Sequence, residues 1–193
     1  MLRPVLITAP ATRIVDLTAA KQHCRVDHAD DDTLITALIA AAESYLDGYS
    51  GICGRALINQ TWEQSFSGFG CLRLPVGIAS SVVSVKYYDA TNALQTLAAP
   101  TYQLFTDALG SYVDLAPDQS WPSVYTRADA VKVQWVAGYG ATADQVPSAI
   151  VQAAKMMIGH WYENRETVSS EAKSGEIPFA AAALLAPFRR VGV

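Results

Sequence analysis

Cysteine is scarce. Cys24, Cys53 and Cys71 are the only three, no two stand as a CxxC pair, and their number is odd. That usage offers no disulfide framework and fits a reducing cytoplasm, with the three thiols as small core or surface side chains. Long apolar runs are missing too: no segment approaches the roughly 18 residues that a membrane helix requires. The apolar start "MLRPVLITAPATRIV" is broken by Pro4 and Pro10, no long apolar stretch follows, and no secretory signal is expected. There is no basic excess either: 14 Lys+Arg against 18 Asp+Glu give a net charge of −4. That balance argues against a protein whose main task is to grip nucleic acid by its charge.

What the chain does have is apolar substance. Hydrophobic residues make up 51% and charged residues 17% of 193, enough for one ordinary domain or two small ones sharing a core. Three blocks differ in texture. Residues 1–56 read as an extended arm followed by two helices. Asp16 is placed to cap the first, in which Leu17, Ala20 and Cys24 recur at helical spacing. The second starts in "DHADDDTL", where Asp30 or Asp31 can cap. Ile35, Leu38, Ile39, Ala42, Tyr45, Leu46 and Tyr49 then form a broad apolar face, with Thr36, Ala40, Glu43 and Asp47 opposite.

Residues 57–140 switch to short β-rich runs, "INQTWEQSF", "CLRL", "SVVSVKYYD", "LQTL", "TYQLFTD", "SYVDLA" and "AVKVQWVAGYG", separated by turn material. Seven short strands at this spacing predict a small antiparallel sandwich or barrel-like module. From 141 to 193 the helical period returns. Pro147 suits a first turn, and Ile150, Val151, Ala154, Met157, Ile158 and Trp161 make an apolar stripe. After "VSSEAKSGEIP", "FAAAALLAPF" predicts a last short helix. The fold class expected is α+β: a small α-helical bundle formed by 1–56 and 141–193, with a C-terminal arm, and the β module of 57–140 inserted.

Chemistry is concentrated in "HWYENRETV", residues 160–168, yet it does not assemble into a catalytic or metal site. His160 and Glu163 share a helix face, but one such pair supplies too few ligands. His28 with Asp27, Asp30, Asp31 and Asp32 lacks the central glycine and terminal glutamate of a calcium loop, and reads as a helix start. His23 and Cys24 are neighbours on a helix and so point about 100° apart, which is no dyad. "AGYGA" (137–141) lacks both the GxGxxG spacing and a phosphate lysine. Ser80–Ser81 and Ser169–Ser170 look like turn and linker material. No catalytic, cofactor or metal residue is therefore assigned. Trp62, Tyr87, Tyr88 and Trp135 lie on strand segments and can stack bases or sugars in principle, but no Lys/Arg stripe accompanies them. Interaction remains. Trp161, Tyr162 and Arg165 are of the types that dominate binding hot spots, and Glu163 and Glu166 can pair locally or across a contact.

The order of motifs resembles the head–tail connector (adaptor) proteins of tailed phages, prophages and gene transfer agents. The run Leu17, Ala20, Lys21, Cys24, Arg25, Val26, Asp27 is similar to the family's first helix, with Cys24 where a leucine is usual. "GRALINQTWE" (54–63), "LRLP" (72–75), "SVVSVKYYD" (81–89), "VQWVAGYG" (133–140), "VPSAIVQAAKMMIGHWYENRE" (146–166) and "ALLAPFR" (183–189) follow in family order. The resemblance implies a structural protein without a catalytic site. Its copies would close into a ring of roughly twelve beneath a portal. The ring would extend the DNA channel and receive a tail-completion or stopper protein, and DNA would pass without specific binding. It also implies a place in the virion neck after assembly in the bacterial host cytoplasm, and no membrane partner. On that reading the interface residues expected are Trp161, Tyr162, Glu163, Arg165, Glu166, Phe179, Phe188, Arg189 and Arg190. The alternative is a β-module protein that binds carbohydrate or single-stranded nucleic acid.

Overall fold

A computed structural model describes residues 2–164 and 179–190 of the chain. Its described part is α+β, with four α-helices and eight strands. Strand β1 (Val5–Thr8) precedes helices α1 (Leu17–Cys24) and α2 (Asp32–Leu46). Seven strands follow: β2 (Gln60–Phe66), β3 (Leu72–Arg73), β4 (Ala79–Tyr88), β5 (Leu94–Thr96), β6 (Tyr102–Asp107), β7 (Gly110–Leu115) and β8 (Val131–Ala137). Helices α3 (Ser148–Glu163) and α4 (Phe179–Leu185) complete the order. The chain divides into two compact units, a helical one starting with Thr12–Ile58 and resuming at Tyr139, and a β one built on Asn59–Gly138.

In the helical unit, local chemistry sets each helix. The Asp16 carboxylate accepts the Ala19 amide at 2.6 Å and so starts α1. Arg25 ends it by adopting a left-handed conformation, φ 58°. Along α2 the buried positions are Ile35, Ile39, Ala42 and Leu46, a narrower stripe than its sequence suggests. Tyr45 sits about 100° round the helix from Leu46, Tyr49 lies past the helix end, and both are exposed. Glu43, expected on the wet face, is half-buried: it accepts the Ile14 amide at 2.9 Å and pairs with Arg13 at 2.8 Å. Burial pushes its carboxyl above the usual range, against the pull of those two partners. Pro147 stands one position ahead of α3, its carbonyl accepting the Ile150 amide at 2.9 Å. Ile150, Ala153, Ala154, Met157 and Ile158 of α3 pack into one core with the stripe of α2.

Helix α4 departs from expectation. An alanine-rich tail reads as an arm, but Ala181 and Leu185 are fully buried in that same core. Small side chains let α4 lie close on α3, and one leucine anchors it. The segment behind it is also fastened, since Arg55 Nε donates to the Phe188 carbonyl at 2.9 Å and the Arg190 amide to the Cys53 carbonyl at 3.0 Å.

In the β unit, one sheet has the order β1-β2-β8-β4-β5 and a second the order β3-β7-β6, all pairs antiparallel. Strands β2 and β8 alternate strictly between buried and half-buried residues, with Trp62 directly opposite Trp135. Of the two forms expected, sandwich or barrel, a closed barrel is ruled out: the larger sheet ends on β1 and β5 and does not close on itself. The seven expected strands are joined by an eighth, because "VLIT" pairs with β2, Leu6 facing Trp62. The N-terminal arm thus belongs with the sheet and not with the helices of 1–56. Buried Gln64 fixes it further by donating to the Leu2 carbonyl.

Candidate interface

The end of α3 carries the densest set of functional side chains, and the structure separates those turned to the chain itself from those turned outward. Trp161 and Tyr162 are half-buried and pack against the helical core. The Tyr162 hydroxyl donates to the Asp31 carboxylate, tying the end of α3 to the start of α2. Asp31 is the residue ahead of α2, and its side chain makes no cap bond to that helix. Beside it Lys21 Nζ meets Asp32 at 2.5 Å, joining α1 to α2. Asn164 closes α3 by donating both its amide and its side-chain Nδ2 to the His160 carbonyl, each at 2.9 Å. Glu163 is exposed. Arg165 and Glu166 lie outside the described residues.

The second set of expected interface residues is on and after α4. Phe179 is 89% exposed, the most exposed large apolar side chain among the described residues. Phe188 is half-buried against the core, Arg189 is exposed, and Arg190 is half-buried. The structure therefore leaves Glu163, Phe179 and Arg189 facing solvent, and commits Trp161, Tyr162 and Phe188 to packing within the chain.

The remaining candidates resolve on geometry. His23 stands against Gly159 of α3, where an added Cβ would come within 3.2 Å of its ring. Burial, helped by the Glu163 charge, pushes the Cys24 thiol up, so it stays protonated and unreactive at neutral pH. Cys53 is pushed up in the same way by burial. Among the described residues no group of three or more His, Cys, Asp and Glu is placed to hold a metal ion. No described helix is long and apolar enough to cross a membrane. Gly140 of "AGYGA" lies under the Gln145 side chain, which a Cβ there would overlap, and Gln145 forms a capping box with Thr142. That stretch is a strand end turning toward α3, not a phosphate loop.

The aromatic residues of the β unit are not a bare stacking platform. Trp135 is fully buried and Trp62 is 7% exposed. Tyr88 is covered by the Arg127 guanidinium, 3.7 Å from its ring centre, which is itself held by Asp129 at 2.6 and 2.9 Å. Phe69 stacks on Trp121 at 4.5 Å, and Tyr87 leans on Phe69 at 5.6 Å. Sequence reasoning missed two exposed features: Tyr45 with Tyr49 at and just past the end of α2, and Leu2 with Val5, Leu6 and Ile7 ahead of and along β1. The β-branched run in "VLIT" was the available signal for the strand.

Comparison with known proteins bears on this arrangement. Residues 14–95 match the model of a family described as Phage gp6-like head-tail connector protein, a span from just ahead of α1 into β5. The resemblance seen in the order of motifs is borne out by that match. No curated protein matches the chain in sequence. Among solved structures, a chain in the virion of a native gene transfer agent particle is similar, with TM-score 0.71 and 21% identity. So are chains in the neck of an empty gene transfer agent particle computed with C6 symmetry (TM-score 0.72, 20% identity) and in the neck of a native particle computed with C12 symmetry (TM-score 0.70, 20% identity). Each of the three alignments covers 100% of this chain and 97% of the other. The fold of the described residues is therefore shared with those chains.

Proposed function

We propose that this chain is a structural head–tail connector subunit of a tailed phage, prophage or gene transfer agent, and not an enzyme. The observation that carries the proposal is the family match over 14–95 together with a fold similar over the full chain to proteins of particle necks. In this reading the helical unit is the connector bundle, and the β unit is an inserted module whose two sheets pack as a small sandwich. Copies close into a ring of about twelve by heterologous contacts, each copy using two different patches. The ring sits under the portal, extends the DNA channel, and offers its far side to a tail-completion or stopper protein.

The chemistry of the surface is consistent with such a passive channel component. A net charge of −4 gives phosphate little to hold, so DNA slides instead of binding. Of the described interface residues expected from the sequence, Glu163, Phe179 and Arg189 are the ones with exposed side chains to offer a neighbour or the portal. Assembly takes place in the bacterial host cytoplasm and ends in the virion neck.

The test is electron microscopy and native mass spectrometry of the full chain, alone and mixed with the portal protein of the same particle. A closed ring on the portal is the expected result. A chain that stays monomeric and ignores the portal, yet binds an oligosaccharide or oligonucleotide, would sink the proposal in favour of a β-module binding protein.

A further inference from the structure

The helical unit exposes three large apolar side chains among its described residues: Tyr45, Tyr49 and Phe179. Two stand at the C-terminal end of α2 and one at the N-terminal end of α4. Each helix also carries charge at its opposite end. Ahead of α2 is Asp30, whose side chain is 95% exposed, and after α4 comes exposed Arg189. One element thus reads aromatic-then-basic along the chain, the other acidic-then-aromatic.

The spacings agree. A helical side chain covers the turn before its own Cα, so Tyr45 lies over the level of Ala41. From Asp30 to Ala41 is about 16 Å at the helical rise of 1.5 Å per residue. From Phe179 to Arg189, seven α-helical residues and a three-residue 3-10 turn also span about 16 Å. The exposed positions of α2 between its two ends, Thr33, Thr36, Ala37, Ala40, Ala41 and Ser44, are uncharged, so a partner helix meets no charge to desolvate there. Both helices pack on α3 in a single core, so the outward sides of α2 and α4 are two different patches of one chain. A closed ring requires two such unlike, complementary patches.

We infer that α4 of one copy lies antiparallel along the outward face of α2 of the next, with Phe179 against Tyr45 and Arg189 against Asp30. The partner is thus a second copy of this chain, and the inference rests on the ring reading above. The aromatic contact carries the affinity, since it buries the larger apolar area. The exposed ion pair sets direction and contributes little.

Cysteine capture tests the contact directly. Ala41→Cys and Phe179→Cys are made in separate full-length chains, both with Cys71→Ser because that thiol is exposed, then mixed and oxidised. A covalent dimer is expected well above the level given by Gln152→Cys with Phe179→Cys, Gln152 being an exposed position of α3. Alongside it, Phe179→Ala is expected to raise the concentration needed for assembly about tenfold or more, as loss of an aromatic anchor does. Arg189→Asp weakens assembly a few-fold, and adding Asp30→Arg restores it. Cross-linking no better than the control overturns the contact, whatever the unaltered chain does. Rings that form normally with Phe179→Ala overturn it and leave the ring reading standing. If Phe179→Ala removes portal binding alone, the patch serves the portal and the inference is wrong. An unaltered chain that never assembles, with or without portal, instead refutes the ring.

Discussion

At the scale of single residues, partners matter more than residue types. Arg73 and Asp107 meet in two bonds, at 3.0 and 2.6 Å, and join β3 to the tip of the β6–β7 hairpin. The Arg73 bond, with lesser help from the Leu109 and Gly110 amides, holds the Asp107 carboxyl at about 2 against an ordinary 3.8. Asp89 is also held at about 2, by the Thr91 hydroxyl first and then by Gln95 and Ala93, which closes the "DATNA" turn. A depressed folded value means stability that is complete above the ordinary value and drains away as pH falls from about 4 toward 2. Both groups lie at the surface, so the energy involved is small. Their titrations are nonetheless distinct. Carboxyl carbon shifts should give midpoints near 2 for both residues, and Arg73→Ala should return Asp107 toward 3.8 while leaving Asp89 in place. Unchanged Asp107 behaviour in that variant would mean that the hairpin amides, not the guanidinium, hold the charge. The turn at Asp89 is local and was legible as turn material, but the distant pairs were not: Arg73 and Asp107 are 34 positions apart, and Tyr162 and Asp31 are 131 apart. Side-chain type announces capacity, while the partner is chosen by the fold.

At the scale of elements, periodicity was a good guide to existence and a poorer one to role. The seven strand segments between 57 and 140 and both long helices stand where alternation and the 3.6 repeat put them. The strand β1 was missed because two prolines flank a run too short to show alternation. The role of α4 was misjudged for a different reason. Alanine hides burial, having so little apolar surface that a packed helix and a solvated arm look alike in sequence. The structure decides for packing, and mutation can check it. Leu185 is fully buried, so Leu185→Ala should cost about 2–5 kcal/mol of the helical unit's stability, as large-to-small core changes do. Urea unfolding followed by circular dichroism would measure it. A loss under about 0.5 kcal/mol, the level of ordinary surface substitutions, would return α4 to the status of an arm.

At the scale of the whole molecule, the chain leaves the helical unit at Ile58 and rejoins it at Tyr139, and these two points are neighbours. The Tyr139 amide donates to the Leu57 carbonyl at 3.1 Å, and Ile58 and Gly140 form a parallel bridge. An insertion whose ends meet adds little loop-closure entropy to its host, because the cost grows only with the logarithm of loop length. The helical core is likewise complete in itself: Ile35, Ile39, Leu46, Leu57, Ile150, Met157, Ile158 and Leu185 are all essentially sealed from solvent, and all come from 12–58 or from beyond 138. Residues 12–58 joined to 139–193 by a short Gly/Ser link should therefore fold alone, as roughly 100 residues around one core suffice to do. Residues 2–11 are left out because β1 pairs with β2. The shortened chain should show a helical spectrum and a cooperative thermal transition. If the outward faces of α2 and α4 make the ring contact, it should also assemble, since neither patch draws on the β unit. A shortened chain that folds but no longer assembles would shift the ring contact onto the β module. One that does not fold at all would make the two units a single cooperative structure, despite their separate cores.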